Sequence, residues 1–468
     1  MTSLNQRMRL FSLCVLAATL TISASAQTYT ELLSFNGTTA AGPESPLTQG
    51  IDGSLYGTTY YGGTGTCFDG KGIGCGVAFK ITRNGQFQII HNFQATDSVT
   101  NPTNNLVLGQ DGNLYGTSFS YDNIFSITPA GTLTILHTFT GGPGGAGLNA
   151  GELTLGTDGN FYGATSGGGT PSLFCPSGCG TLYKMTPAGA LTTLYSFCPQ
   201  NYCPDGETPE GALAEGTDGN FYGTALGGGL YKEGTIFKIT PNGFFTLLYT
   251  CDTPCTELYP GLMLATDGNF YGTDSSGLYR ITPNGVFTAL SDPGNVSHLP
   301  IEGNDGNFYG TTQGGGIYRD GNIFEMPPDG SPSTLYNFFG YPTDGSYPFN
   351  GLVQHTDGKF YGVTYTGGSF PCNYYAPGCG TVFSEDVGLP PFVAFLRGAA
   401  RVGQQFGLLG QGLTGTTSVS VNGVPASFTS HSDTLIRATV PAGATTGYVT
   451  VTTPTGTLTS NVPFHVIP

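Results

Sequence analysis

The sequence predicts an all-β protein: a seven-bladed β-propeller closed by its own N-terminal strand, followed by an immunoglobulin-like β-sandwich. Three observations predict it. First, Asp-Gly-x-[Leu/Phe]-Tyr-Gly occurs seven times, beginning at Asp52, Asp111, Asp158, Asp218, Asp267, Asp305 and Asp357. The mean period is about 51 residues, in the range of propellers, solenoids and arrays. Second, the 468 residues include 76 Gly and 31 Pro, which weaken helix interiors, with 31 Phe and 26 Tyr to fill a large core. Third, the strand pattern is out of step with the motif. One strand precedes the first copy, and one is missing after the last.

Residues 1–26 read as a secretory signal. Arg7 and Arg9 start it, Leu10 to Leu20 form the apolar run, and Ala24-Ser25-Ala26 is the cleavage site. The run is too short to span a bilayer comfortably, so cleavage before Gln27 is expected rather than anchoring. Residues 27–468 then carry 12 basic and 30 acidic side chains with no basic cluster. That balance argues against a phosphate-tracking nucleic-acid surface and against docking to anionic lipid. The expected product is exported, monomeric and not inserted in a membrane.

Within a repeat, a short run such as Gly261–Leu264 leads into the Asp-Gly turn. Phe-Tyr-Gly-Thr follows, then a Gly-rich loop, a segment like Gly234–Ile239, and a turn like Thr240–Gly243. A run such as Leu191–Phe197 closes the unit. Four strands joined this way make one antiparallel sheet, and Asp-Gly and Asn-Gly supply the positive φ that tight turns need. Phe161 and Tyr162 are adjacent and point to opposite faces, so burying both requires a neighbour on each side. The third-strand motif recurs from Val77–Phe79 to Val382-Phe383, after which the last unit lacks a fourth strand. The orphan run Tyr29–Phe35 has the fourth-strand pattern, so it is expected to complete the last sheet and remove its open edge.

Strand order assigns two faces. The turns between strands one and two, and three and four, are short and uniform. The loops on the opposite face vary, and they hold all ten cysteines of residues 27–468. A binding site belongs on that variable face. The cysteines fall into five close pairs: Cys67/Cys75, Cys175/Cys179, Cys198/Cys203, Cys251/Cys255 and Cys372/Cys379. An even count in an exported chain predicts disulfides, with exchange between Cys175/Cys179 and Cys198/Cys203 left open. The spacings match no zinc pattern and no His accompanies them, so neither metal nor cofactor is expected.

On its seven motif copies, the region of residues 28–386 resembles the GloVer tandem repeat of exported bacterial proteins. That resemblance implies secretion and a propeller-like array, and brings no activity with it. The chain therefore divides into a signal at 1–26, a propeller at 27–387 and a separate region at 388–468, opened by Leu389-Pro390-Pro391. Alternation in Ile436–Val440 and Tyr448–Thr452, with Asn422-Gly423 as a hairpin turn, reads as a small β-sandwich. This region is similar to the IPT/TIG immunoglobulin-like domain, which implies a spacer or adhesive role.

No catalytic motif is present. The repeated Asp reads as a turn cap, because the Asp-x-Asp-x-Asp-Gly density of a calcium loop is missing. Departures from the repeat are more informative. Three residues before the Asp stand Gln49, Leu108, Leu155, Glu215, Leu264, Glu302 and Gln354, and His355 replaces a Gly found in five copies. Glu215, Glu302 and His355 are candidates for acid and base groups, weighed against plain channel lining. Gln49, Gln354 and the loop aromatics Tyr60, Tyr61, Tyr231, Phe370, Tyr374 and Tyr375 are candidates for ligand binding, weighed against packing beneath their own loops. The expected function is non-catalytic extracellular binding or adhesion, with a polysaccharide or cell-surface protein held on the variable face. The alternative is a glycan-acting hydrolase or lyase with its site at the propeller channel, on the variable face near Glu215, Glu302 and His355.

Overall fold

The computed structural model describes residues 27–467, apart from 68–73, 119–121, 143–144, 146–150, 174, 201, 295, 297, 349 and 373–376. The segment read as a signal peptide lies outside the described residues. Strands and turns make up the described chain, with a single three-residue 3-10 turn at Ala95–Asp97. No described helix is long and apolar enough to cross a membrane.

Each Asp-Gly copy lies in a four-stranded antiparallel sheet, and in six of the seven the strands follow chain order. The seventh joins Val353–Gln354, Phe360–Thr364 and Thr381–Asp386 to the N-terminal strand Thr28–Ser34. Tyr29 pairs with Glu385 and Ser34 with Thr381, so the orphan strand takes the fourth place in that sheet.

Every letter of the motif has a physical cause. The Asp carboxylate accepts the backbone N–H two residues on, at 2.9–3.2 Å in all seven copies. Its other oxygen accepts the hydroxyl of the motif Tyr at 2.9–3.0 Å. The turn is therefore capped locally and tied to the strand that follows it. The Gly two places before Asp lets this Tyr ring lie flat on the backbone. A Cβ at Gly50, Gly109, Gly156, Gly216 or Gly303 would stand 2.4–2.8 Å from the ring. The last Gly of the motif makes room for the strand-three aromatic in the same way, as at Gly163 beneath Tyr183.

Neighbouring sheets pack through the same residues. The motif Tyr of one repeat lies against the motif Phe of the next, with Tyr162–Phe221, Tyr222–Phe270 and Tyr309–Phe360 centroids at 3.7, 3.9 and 4.1 Å. Tyr361 of the seventh repeat shares a core with Leu55 of the first, so the two chain-distant sheets are packed together. Strand four carries a second repeated bond. Tyr195, Tyr249 and Tyr336 donate to Asp205, Asp252 and Asp344 at 2.8, 2.8 and 2.6 Å. His91 occupies the same place and meets Asp97 at 3.1 Å, as a packing variant of the Tyr would.

Residues 393–467 form two four-stranded sheets and one short parallel pair. Phe406, Leu408, Val419, Ile436, Val451 and Phe464 fill the core between them. This is the β-sandwich that the alternating runs predict.

Candidate functional site

Strand one is two residues long in six of the repeats and nine in the fourth, Glu207–Glu215, and the strand-one segments of the first five repeats touch their neighbours in turn. The residues that lead into these strands enclose a cavity of about 410 Å³. Its lining includes Pro46, Asn105, Glu152, Gly211, Pro260, His298 and Gly351, one from each of the seven repeats. Leu47, Leu262, Met263, Leu299 and Leu352 make most of the wall apolar. Burial raises the Glu152 carboxyl to about 7 and lowers the His298 imidazole to about 4. Near neutral pH the His is uncharged and the Glu is poised between its two forms. Asn105 Nδ2 stands 3.4 Å from Glu152 Oε2. Sequence reasoning passed over all three. Their positions where chain enters strand one were the available signal.

The strand-one residues singled out from sequence are occupied elsewhere. Glu215 accepts the N–H and hydroxyl of Thr157 in the preceding repeat, at 2.7 and 2.5 Å. Glu302 does the same with Thr266, again at 2.7 and 2.5 Å. Gln354 exchanges two bonds with Asn304 at 3.0 Å each. Gln49 completes the set across the joint between the seventh and first repeats, bonding Thr356 at 3.0 and 2.8 Å. At four of the seven positions the strand-one side chain is thus a two-pronged stitch from one sheet to the turn of its predecessor. Burial raises the Glu215 and Glu302 carboxyls, and the Thr donors pull them back down. His355 is fully buried, with Nε2 3.1 Å from the Gly53 carbonyl and Nδ1 3.0 Å from Asp357. It spans the same joint as Gln49.

Strand direction also moves these residues. The sequence reading set a Glu215, Glu302 and His355 site on the variable face. Strand one runs from the variable loops toward the Asp-Gly turn, and the three side chains sit at or beside its turn end. That end is covered. Arg397 Nε donates to the Thr157 carbonyl at 2.7 Å, Arg437 to Gln110 at 3.0 Å, and Thr434 to Ile51 at 2.7 Å. Gln411 reaches Thr356 at 3.1 Å, and Asn304 donates to Pro390 at 2.9 Å. Every one of these partners stands immediately before a motif Asp. Leu396, Leu409 and Leu435 pack on Ile51 and Leu108 beside them. The C-terminal sandwich therefore sits on the turn face of repeats one, two, three and seven, and the segment at Pro390 that leads into it meets repeat six.

On the loop face, Tyr231 and Phe370 are 54% and 48% exposed, as a binding role needs. Tyr60 and Tyr61 are only partly exposed and pack edge to face at 4.6 Å, while Tyr374 and Tyr375 lie outside the described residues. A further aromatic pair was missed. Tyr318 and Phe339 of the sixth repeat lie 4.3 Å apart and are both nearly half exposed, with Tyr341 and Tyr347 exposed in the same loops.

The cysteines pair as neighbours: Cys67–Cys75, Cys175–Cys179, Cys198–Cys203, Cys251–Cys255 and Cys372–Cys379. The exchange of partners left open by the sequence does not occur, and five disulfides are consistent with an extracellular setting. All ten stand in loops between strands, where the sequence places them, and within those loops Cys75 and Cys379 are fully buried in cores between sheets. Cys75 packs with Phe93, Val99, Leu106 and Phe125, and Cys379 with Phe35, Ala40, Ala41 and Val382. The cause is their place in the chain. Cys75, Cys179 and Cys379 each stand two residues before strand three, where the loop has already turned in between neighbouring sheets. Each of these crosslinks pins a loop to the core, and the Cys75 and Cys379 sulfurs are closed to a ligand on the loop face.

No curated protein matches the chain. Solved structures do. A streptogramin B lyase matches with a TM-score of 0.51 at 15% identity, over 77% of this chain and 97% of its own. A catalytically inactive virginiamycin B lyase variant from Staphylococcus aureus, with quinupristin, gives 0.52 at 15%, over 77% and 99%. A fungal alcohol oxidase of the AA5 family, in complex with copper, gives 0.52 at 14%, over 94% and 99%. At these identities the likeness is one of fold, a β-propeller-like all-β architecture. At the level of sequence, residues 64–287 match the model of the Gloeobacter/Verrucomicrobia repeat, which supports the family read from the Asp-Gly-x-[Leu/Phe]-Tyr-Gly copies.

Proposed function

We propose that the seven sheets are the blades of one ring closed by the N-terminal strand, and that an IPT/TIG-type sandwich caps one end of its channel. On this reading the protein is exported after cleavage near Ala26. It acts outside the cell as a binding or adhesion protein for a polysaccharide or a surface protein. The observation that carries the reading is the seven-repeat cavity at the uncapped end, with Glu152, Asn105 and His298 set in an apolar wall. A few convergent polar groups in an apolar concavity are the ordinary makings of a ligand site. The exposed Tyr231, Phe370, Tyr318 and Phe339 stand on the same loop face as a rim for stacking.

One observation favours a second reading. Glu152 and His298 share this cavity and are shifted in opposite directions, the pattern of an acid and base pair. A hydrolase or lyase on this scaffold would use them rather than Glu215, Glu302 and His355, whose polar atoms are committed to joints between sheets.

Both readings meet in one experiment. Residues 27–468 are incubated with soluble and insoluble polysaccharides and with cell-surface extracts, scoring co-sedimentation and new chain ends in the same tubes. Binding that Ala212→Phe abolishes by filling the cavity supports the channel site. Binding lost only with Tyr231→Ala or Tyr318→Ala moves it to the rim. Chain ends that disappear with His298→Ala establish the enzyme, and silence throughout refutes the glycan reading.

A further inference from the structure

The four sulfurs of Cys175, Cys179, Cys198 and Cys203 lie within 4.8 Å of one another. Two of them come from the loop between strands two and three of the third repeat, and two from its connection to the fourth. The two disulfides lie side by side, with Cys179 Sγ 3.7 Å from Cys203 Sγ. Tetrahedral zinc with thiolates at about 2.3 Å requires sulfur–sulfur edges of about 3.8 Å. Cys179, Cys198 and Cys203 are buried and Cys175 partly so, which matches a closed structural site rather than an open catalytic one. Both backbone segments are held by the fourth repeat. Thr208 N–H donates to the Cys179 carbonyl, and Gly229 N–H to that of Cys203, at 2.9 and 2.8 Å. Ser172 Oγ lies 3.5 Å from Cys198 Sγ, ready to donate to a thiolate, and the Glu207 carboxylate lies 3.5 Å from Cys175 Sγ.

We propose that these four cysteines form a redox-gated zinc site: two disulfides when oxidised, one tetrathiolate zinc centre when reduced. A dithiol reductant supplies two electrons and two protons to each disulfide, giving four thiols and two molecules of oxidised dithiol. Zinc then binds the four sulfurs and releases their four protons. The other three disulfides have no second pair beside them among the described residues, so they lose their crosslinks without a substitute. The metal would hold the third-repeat loops to the fourth sheet when the crosslinks are gone, because binding to a folded site is folding free energy.

The test uses residues 27–468, reduced with dithiothreitol under nitrogen, desalted, and titrated with zinc against a chromophoric chelator. Cobalt is the spectroscopic probe in parallel. One zinc retained per chain, with the cobalt–thiolate charge-transfer band of a tetrahedral sulfur site, is the expected result. Cys179→Ser with Cys203→Ser should abolish both signals, and Cys251→Ser with Cys255→Ser should leave both unchanged. If reduction alone collapses the near-ultraviolet circular dichroism, its recovery on adding one equivalent of zinc supports the site. No retained zinc, no recovery, or retention undiminished in the Cys179 and Cys203 variant overturns it.

Discussion

Replacing Glu152 by Gln should stabilise the protein above pH 7 and leave it unchanged near pH 4. Burial raises this carboxyl from its ordinary 4.5 to about 7, with the Asn105 amide at 3.4 Å as its hydrogen-bond donor. In the unfolded chain the group ionises near its ordinary value, so the folded state holds more protons between these two pH values. Stability is then full below 4.5, falls as pH rises toward 7, and stays low above it. Each tenfold change in proton affinity is worth about 1.4 kcal/mol, which sets a ceiling of about 3 kcal/mol for the loss. The side chain faces the cavity and is partly exposed, so water there reduces the figure. Gln keeps the shape and removes the charge. Urea unfolding of parent and variant at pH 4 and pH 8, followed by tyrosine fluorescence, measures the difference directly. Glu210 and Glu385 are also raised to about 7, so the slope of either protein alone does not isolate the effect, whereas the difference does. An offset that is equal at both pH values, or a variant weaker at pH 8 than the parent, would refute the assignment of a desolvated carboxyl to this cavity.

Gly50→Ala should cost about 1–3 kcal/mol through its clash with the Tyr56 ring, whereas Gly306→Ala, with open space around it, should cost about 1 kcal/mol for its positive φ alone. Thermal unfolding of the two variants separates the causes, and equal losses would count against the close-approach argument. Gln49→Ala removes both bonds to Thr356 and leaves a buried N–H unpaired, so a loss of about 1–3 kcal/mol is expected by denaturant titration. No change there would mean that the first and seventh sheets are held by packing alone. Arg397→Ala with Arg437→Ala should expose the stretch 387–391 to protease and release the C-terminal sandwich intact. Cleavage at the parent rate would show that Leu396, Leu409 and Leu435 suffice to hold it.

The sheets were legible because the repeat states each of their requirements seven times. Asp, Gly and Tyr recur at fixed spacing since one carboxylate closes the turn and receives the Tyr hydroxyl over a glycine with no room for a Cβ. The grouping of the cysteines into close pairs was legible from spacing, with the partners of Cys175, Cys179, Cys198 and Cys203 left open, but neither their stacking nor their depth was. Cys179 and Cys203 stand 24 residues apart and meet only because one repeat's loop turns back on its own connection to the next. Cys75 and Cys379 read as loop residues because Gly and Pro surround them, and the cores that bury them are built from neighbouring repeats. The cavity was also hidden. Glu152, Asn105 and His298 belong to segments with no shared motif, and they converge because segments of all seven repeats line one cavity rather than through any local pattern.

Glu215, Glu302 and His355 show how a sound rule can point to the wrong role. A residue that departs from a repeat is either grafted function or a joint peculiar to that place, and the choice depends on its partner. Matched with the position just before the previous motif Asp, the departures form pairs: Glu215 with Thr157, Glu302 with Thr266, Gln354 with Asn304, Gln49 with Thr356. Where that partner is Ile51, the matching position is Leu108, and the joint is apolar. The pattern is not complete, since Leu264 follows a repeat with Thr217 in the partner position. The same partner positions serve a second purpose, because the C-terminal sandwich grips four of them and the segment at Pro390 that leads into it a fifth. A turn face that stitches the sheets and seats a domain has little freedom left for a ligand. Variation in loop length, the cavity and most exposed aromatics, Phe244 in a strand-three turn excepted, fall on the opposite face, where the physical constraints of the repeat are weakest.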